Sequence, residues 1–199
     1  VIGHGVSIPV RTPTFPESSP RFCFAGRLCE EKGVRVLYNA LLRLREEGGI
    51  FPVIDIIGDG HLLPWLQDRV KADFPGSPIT LHGYLENPDD LIVRATALLF
   101  PSVRLDSAPY ITLEAMALGV PVIASDLEVF RELIIPDVTG KVFHKGDSAA
   151  LAKIMRQAMT ETEAMRTMGM RGRELVRERH GIERMIAETA AFYRDVLLS

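Results

Sequence analysis

Two stretches of the chain carry residue types that could do chemistry together. The first, Phe24-Ala25-Gly26-Arg27-Leu28-Cys29-Glu30-Glu31-Lys32-Gly33, places two cations, Arg27 and Lys32, just past an apolar strand-like run. The second runs from Asp106-Ser107-Ala108-Pro109-Tyr110-Ile111-Thr112-Leu113-Glu114 to Gly119-Val120-Pro121-Val122 and brings two carboxylates, Asp106 and Glu114. A helix starting near Pro109 would leave Asp106 in the preceding loop, with Glu114 about a turn and a half inside. The first N–H groups of that helix, near Tyr110 and Ile111, would form a ready anion site. Cations on phosphates and carboxylates on hydroxyls together suit a nucleotide diphosphate sugar. A plainer reading stands beside this one. Asp106 or Ser107 caps the helix, Glu114 is solvated, and Glu30 and Glu31 neutralise Arg27 and Lys32. Cations near a helix N-terminus oppose the helix dipole, so their presence makes more sense with an anion between them. Residue types and spacing leave both readings open.

The elements that must position these residues alternate along the chain. Apolar strand-like runs fall at 21–25, 53–57, 79–82, 97–100, 121–124 and 141–143. Helical periodicity lies between them. The span 34–47 carries Val36, Leu37, Ala40, Leu41 and Leu44 on one side, and 62–74 carries Leu63, Leu66, Val70 and Phe74. Pro64 is tolerable only in a first helical turn. Asn87-Pro88 opens a helix to about residue 95. A further helix over 109–118 stops at Gly119, and Asp147 caps one to about residue 159. Two more helices, rich in charge, run to the end. Strands alternating with helices at this spacing predict an α/β fold, a Rossmann-like doubly wound parallel sheet with helices on both faces and C-terminal helices. Ligands of such sheets sit beyond the carboxyl ends of the strands. There this sequence has Gly26, Gly58, Gly83, Pro101-Ser102 and Ser125, small or turn-forming residues that let backbone approach a ligand.

Composition narrows the function classes. The 199 residues fit one large domain, 47% hydrophobic and hence able to bury a core. A net charge of −3 argues against a nucleic-acid partner, which needs a basic face. Cys23 and Cys29 have neither metal-knuckle nor redox spacing, and Cys23 reads as an inert core thiol, in keeping with a reducing cytoplasm. No apolar run is long enough for a transmembrane segment. None of the histidines (His4, His61, His82, His144, His180) has metal-ligand spacing, so they read as structural or surface residues. The Pro-, Ser- and Thr-rich span 9–20 reads as an exposed loop or linker. The opening Val1-Ile2-Gly3-His4-Gly5-Val6 reads as mid-protein sequence, a domain of a longer polypeptide. There is no GxGxxG after the first strand and no GxxxxGK[ST], which sets aside nicotinamide dehydrogenases and P-loop NTPases.

Six segments in order carry a resemblance. Gly26-Arg27-Leu28 to Lys32-Gly33 is similar to a G-R-L-x-x-x-K-G segment, Gly58-Asp59-Gly60-His61 to a G-D-G-P loop, and His82-Gly83-Tyr84-Leu85 to a base-contacting turn. Phe100-Pro101-Ser102 is similar to a P-S strand end, Asp106 to Glu114 to an E-x7-E motif, and Arg131-Glu132-Leu133 to Val138-Thr139-Gly140 to the segment before a last strand. The sequence resembles the C-terminal, donor-binding domain of GT-B glycosyltransferases of the group 1 type (family 4, retaining) over nearly its whole length. The resemblance implies one half of a GT-B fold, a single nucleotide-sugar-binding domain over 1–199.

It also implies roles. Arg27 and Lys32 bind the donor diphosphate and steady the departing phosphate. Glu114 bonds the ribose hydroxyls, and Asp106 contacts the donor sugar. Gly26, Gly58, Asp59, Gly60, Tyr84 and Leu85 border base and phosphates, and Pro109, Tyr110, Ile111 and Thr112 shape the helix end that holds phosphate or sugar. The donor is a UDP- or GDP-sugar, and no metal or other cofactor is expected. The acceptor, a glycan, a lipid-linked sugar or a small molecule, would be held by the absent N-terminal domain, so the isolated domain is expected to be inactive. The location implied is cytoplasmic, compatible with a peripheral position at the inner membrane face. Asp106 departs from the family's usual Glu by about one methylene. The competing reading is a non-catalytic module that binds a nucleotide sugar or sugar phosphate. The last helix, about 182–198, is expected to leave an apolar patch exposed.

Overall fold

The computed structural model describes residues 5–11, 13, 14, 19–104, 110–131 and 133–198. Asp106, Pro109 and the other residues of 105–109 lie outside the described residues, as does Glu132.

Six strands form one sheet: β1 (Arg21–Ala25), β2 (Val53–Ile57), β3 (Ile79–Gly83), β4 (Ala97–Phe100), β5 (Val122–Ser125) and β6 (Gly140–Phe143). Their order is β3-β2-β1-β4-β5-β6 and every neighbouring pair is parallel. The chain runs outward from β1 to β3, then returns to β4 on the other side of β1. The β1/β4 boundary is therefore the point where strand order reverses, and crevices open there in such sheets. The expected α/β architecture is the one observed.

The helices are α1 (Val34–Glu46), α2 (Leu63–Asp73), α3 (Asp89–Ile92), α4 (Tyr110–Ala117), α5 (Ser148–Thr160), α6 (Thr162–His180) and α7 (Ile182–Leu198), with 3-10 turns at Glu30–Lys32 and Glu128–Phe130. Alternate strand residues face opposite sides, which splits the core in two. Phe22, Phe24, Ile54, Ile56, Leu99 and Ile123 pack under α1, α2 and α5. Cys23, Ala25, Ile57, Leu98, Phe100, Val122 and Ala124 pack against α4, α6 and the turns before β4 and β6. Burial pushes the Cys23 thiol pKa far up, with the Asp55 carboxylate adding to it, so it is an inert core residue.

Local signals explain the ends of the elements. Pro64 sits in the first turn of α2, the Asp147 side chain accepts the Ala150 N–H at 2.8 Å, and α4 gives way to Gly119 at φ +79°. Asn87 Oδ1 accepts the Asp89 N–H at 3.1 Å, but α3 ends at Ile92, three residues short of the expected end. The chain leaves the helix there through tighter turns. Thr96 must donate its N–H to Arg21 O at 2.7 Å and take the Arg21 N–H on Oγ1 at 3.1 Å to enter β4. Among the described residues of 9–20, Val10 is exposed, while Arg173 donates to the carbonyls of Pro9 and Arg11, Arg11 pairs with Asp90, and Thr14 N–H reaches Val93 O at 3.0 Å.

A carboxylate lies buried within the sheet. Asp55 on β2, 2% exposed, takes a bond from Arg21 on β1 and pairs with His82 Nε2 on β3 at 2.7 Å. These three side chains tie three adjacent strands together beneath the loops that follow them. His82 and His144, the latter 2.8 Å from Asp126, are thus structural or surface residues. Among the described residues no helix is long and apolar enough to cross a membrane. As expected, α7 exposes apolar side chains, among them Ile186, Tyr193 and Leu197.

Gly33 joins the 3-10 turn to α1 in the left-handed conformation, φ +72°, and a Cβ on it would overlap the carbonyl of Pro101. Gly76 has the same φ but faces open space. Replacing Gly76 by Ala is expected to cost about 1–2 kcal/mol, the left-handed penalty alone. Gly33→Ala should cost about 1–3 kcal/mol more, from overpacking. Urea denaturation of the two variants measures the difference, and equal losses would show that the Pro101 contact yields freely.

Candidate functional site

The loops that follow β1, β2 and β3, the end of β4 and the start of α4 border a cleft of about 490 Å³ at the carboxyl ends of the strands. Backbone hydrogen bonds hold these loops together. Gly26 N–H donates to Ile57 O at 3.0 Å, Leu28 N–H to Asp59 O at 2.8 Å, Leu62 N–H to Leu28 O at 3.0 Å, and Gly58 N–H to Gly83 O at 2.7 Å. Gly58 adopts φ +136° and any Cβ on it would overlap the carbonyl of Gly26. Only glycine permits so close an approach.

Both cations of the first motif line this cleft. Arg27 is exposed. Lys32 is 8% exposed, with its ammonium 5.5 Å from the centre of the Phe100 ring, a cation–π arrangement across the β1/β4 boundary. Burial pushes the Lys32 pKa below the ordinary lysine value, the Arg27 guanidinium pushes the same way, and Cys29 and Glu31 pull back. Glu30 pairs with Arg35, Nε to Oε1 at 2.7 Å, on the far side of the turn. The Glu31 carboxyl is held below its usual range chiefly by a backbone N–H, and its carbonyl accepts Val103 N–H at 2.9 Å.

The other residues singled out by sequence separate into groups. Gly26, Gly58, Asp59, Tyr84, Leu85, Tyr110 and Ile111 all border the cleft. Asp59 turns its carboxylate onto the Gly60 N–H at 2.6 Å. Gly60 is packed against the Leu28 backbone and lies behind the cleft wall. Thr112 points inward: it is fully buried, and its Oγ1 has no hydrogen-bond partner among the described residues. It lies on the buried side of α4 with Leu113, Ala115 and Met116.

Glu114 borders an adjoining hollow of about 340 Å³, shared with Asp89, Tyr110 and the stretch from Gly5 to Pro9. It is exposed as a residue, yet the partly dehydrated surroundings of its carboxyl push its pKa up, and the charge of Asp89 adds to this. Tyr110 borders both hollows. Asp106 and Pro109 fall outside the described residues.

Four lining residues were not singled out as site residues: Ala25, Ile57, Pro88 and Phe100. Each ends or follows an element whose position was legible. The signal that could have found Phe100 was its place immediately before Pro101-Ser102, at the mouth of the strand beside β1.

The chain matches, over residues 10–175, the family described as glycosyl transferases group 1. It is 33% identical over 144 residues to the amylovoran biosynthesis glycosyltransferase AmsK of Erwinia amylovora, covering 68% of this chain and 35% of that protein. The sucrose-phosphate synthase of Thermosynechococcus elongatus superposes with a TM-score of 0.84 at 22% identity, covering 99% of this chain and 52% of the other. Anabaena HepE, solved in complex with UDP, gives 0.80 at 18% identity, covering 89% and 49%. The chain thus spans 35% of the AmsK length and about half of each of these solved structures. The parallel sheet, the cleft at its switch point and the match over residues 10–175 agree, and the chain belongs to the glycosyl transferases group 1 family.

Proposed function

We propose that this chain is the donor-binding, C-terminal half of a retaining GT-B glycosyltransferase and that its cleft holds a UDP- or GDP-sugar. One observation carries the reading. Two cations from a single loop meet in a cleft at the strand-order reversal, and one of them, Lys32, is nearly buried there. Two neighbouring cations attract a doubly charged group more strongly than either does alone, and exclusion of water strengthens that attraction. The diphosphate of a nucleotide sugar would lie between Arg27 and Lys32. As the glycosidic bond breaks, negative charge grows on the leaving phosphate, and both cations are already aimed at it. The base would rest along Gly58, Tyr84 and Leu85, whose backbone borders the same cleft. Glu114, in the adjoining hollow, would meet the ribose hydroxyls, and Asp106 the sugar. UDP in the HepE structure supports a uridine nucleotide first. The acceptor would be held by the remainder of a full-length protein, and this half alone would bind donor without turnover. The alternative is a binding module without catalysis, for which Asp106 in place of the family's usual Glu speaks. Turnover on joining the remaining half would exclude it.

Calorimetric titration with UDP, GDP, UDP-glucose and GDP-mannose, without metal, tests the assignment. One nucleotide should bind. The double variant Arg27→Ala, Lys32→Ala should weaken it about 100-fold or more, since each charge-assisted bond contributes about 1.5–3 kcal/mol. Undiminished binding in that variant would overturn the phosphate assignment.

The lowered Lys32 pKa adds a pH dependence. A phosphate favours the charged amine, so affinity depends on Lys32 keeping its proton. Affinity should hold near neutral pH and fall as pH rises through the lysine's lowered pKa, before the ordinary value of 10.5 is reached. Lys32→Ala should lack this alkaline fall. A variant that still shows it would assign the fall to another group.

A further inference from the structure

Far along the chain from the donor cleft, a second cavity of about 430 Å³ is lined by Arg131, Ile135, Arg179, His180 and Arg184. Three guanidinium groups and an imidazole converge on it, and no carboxylate among the described residues lines it. We propose that this cavity is an anion site that takes a phosphate-bearing ligand, a phosphate monoester or polyphosphate, independently of the donor cleft.

The cations come from three elements. Arg131 follows the 3-10 turn Glu128–Phe130, Arg179 and His180 end α6, and Arg184 lies in the first turn of α7. The helix dipole explains some of this and not the rest. Arg179 and His180 complement the negative end of α6, whereas Arg184 opposes the positive end of α7 and Arg131 belongs to neither helix. Like charges gathered from separate elements repel one another, and a multiply charged anion removes that repulsion.

The site is also built. Arg184 is held from two sides, donating from Nε to Glu188 Oε1 at 2.6 Å and from Nη1 to Glu178 O at 3.0 Å. Those bonds fix the guanidinium plane and leave further donors of its five-donor fork. The floor is stapled to the chain's first described segment: Val6 N–H donates to His180 O at 2.8 Å, and Ile182 N–H to Val6 O at 3.0 Å. His180 Nδ1 is buried with no hydrogen-bond partner among the described residues. Arg11, Arg21, Arg35, Arg156, Arg177 and, within the site, Arg184 each pair with a carboxylate. The side chains of Arg131 and Arg179 make no such pair with a described residue. Arginine forks match phosphate oxygens in bidentate geometry, which selects phosphate over a simple halide.

The test is an NMR titration of the chain with inorganic phosphate and with pyrophosphate, reading the arginine Nε–Hε and His180 ring signals. Potassium chloride at matched ionic strength is the control. The Arg184 and His180 signals should move saturably with phosphate and not with chloride, and should do so equally in Arg27→Ala, Lys32→Ala, which separates this site from the donor cleft. Arg131→Gln with Arg179→Gln should weaken the response about tenfold or more. Both residues are exposed, so the variant should fold, and the wild-type contrast between phosphate and chloride stands without it. Co-sedimentation with phosphatidylcholine vesicles, with and without phosphatidic acid, assigns the source. Binding to the acidic vesicles that the same variant abolishes marks a lipid headgroup, and phosphate saturation without vesicle binding marks a soluble ligand. Shifts that follow ionic strength alone, that survive in the Arg131/Arg179 variant, or that vanish with Arg27 and Lys32 would overturn the proposal.

Discussion

Lys32 has its ammonium over the Phe100 ring while the rest of its turn is fixed by backbone, and the cleft is organised around that placement. At 8% exposure Lys32 is largely removed from water. The Phe100 ring offsets part of that loss, about 0.5–2 kcal/mol for a desolvated cation, and burial together with the Arg27 charge lowers the lysine pKa. The 3-10 turn cannot simply swing the lysine outward. Val103 N–H holds Glu31 O at 2.9 Å, and Gly33 rests on the Pro101 carbonyl. The charge is therefore presented at a fixed point on the β1/β4 boundary, and preorganisation of this kind makes an electrostatic site effective.

That placement depends on backbone approaching backbone. The loops after β1 and β2 touch through Gly58 and the Gly26 carbonyl, and the loops after β2 and β3 through Gly58 N–H and Gly83 O. Beneath them Asp55 binds Arg21 and His82 at once, so the three strands that carry these loops share one buried carboxylate. Removing one member of such a group leaves its partners unsatisfied, at about 1–3 kcal/mol. The polar triad and the glycine contacts serve one purpose: the strand ends are held level, and the cleft walls keep their spacing without large side chains between them.

Much of this was legible because a parallel sheet writes itself plainly. Strands buried on both faces appear as continuous apolar runs, and the glycines at their ends mark the loops. The six strands and the two-sided core followed from that. What stayed hidden depended on tertiary neighbours. Nothing local says that Glu30 turns to Arg35 rather than to Arg27 or Lys32, or that Lys32 lies over a ring 68 positions away. Thr112 and Glu114 are two residues apart, about 200° around a helix, so one faces the core and the other does not. The helical phase needed to choose between them is set by α6 packing against α4, which no single motif records. The early end of α3 is of the same kind, since Thr96 answers to Arg21 on another strand.

The charges are unevenly shared between the two hollows, and this has a consequence for any ligand. Arg27 and Lys32 border the cleft with Asp59, whose carboxylate is engaged by the Gly60 N–H, while Asp89 and Glu114 border the adjoining hollow. Tyr110 borders both regions and is 46% exposed. A small dianion would be satisfied at the cationic end alone and would gain nothing from the acidic one. A ligand with an anionic part and a hydroxyl-bearing part could use both, passing Tyr110 with its charge at one pole and its hydroxyls donating at the other. The Glu114 carboxyl is partly dehydrated and faces the charge of Asp89, which raises its pKa, and hydroxyl groups would donate to it without bringing a competing charge. On the proposed reading the two hollows would discriminate by bipolar shape, which net charge alone does not describe.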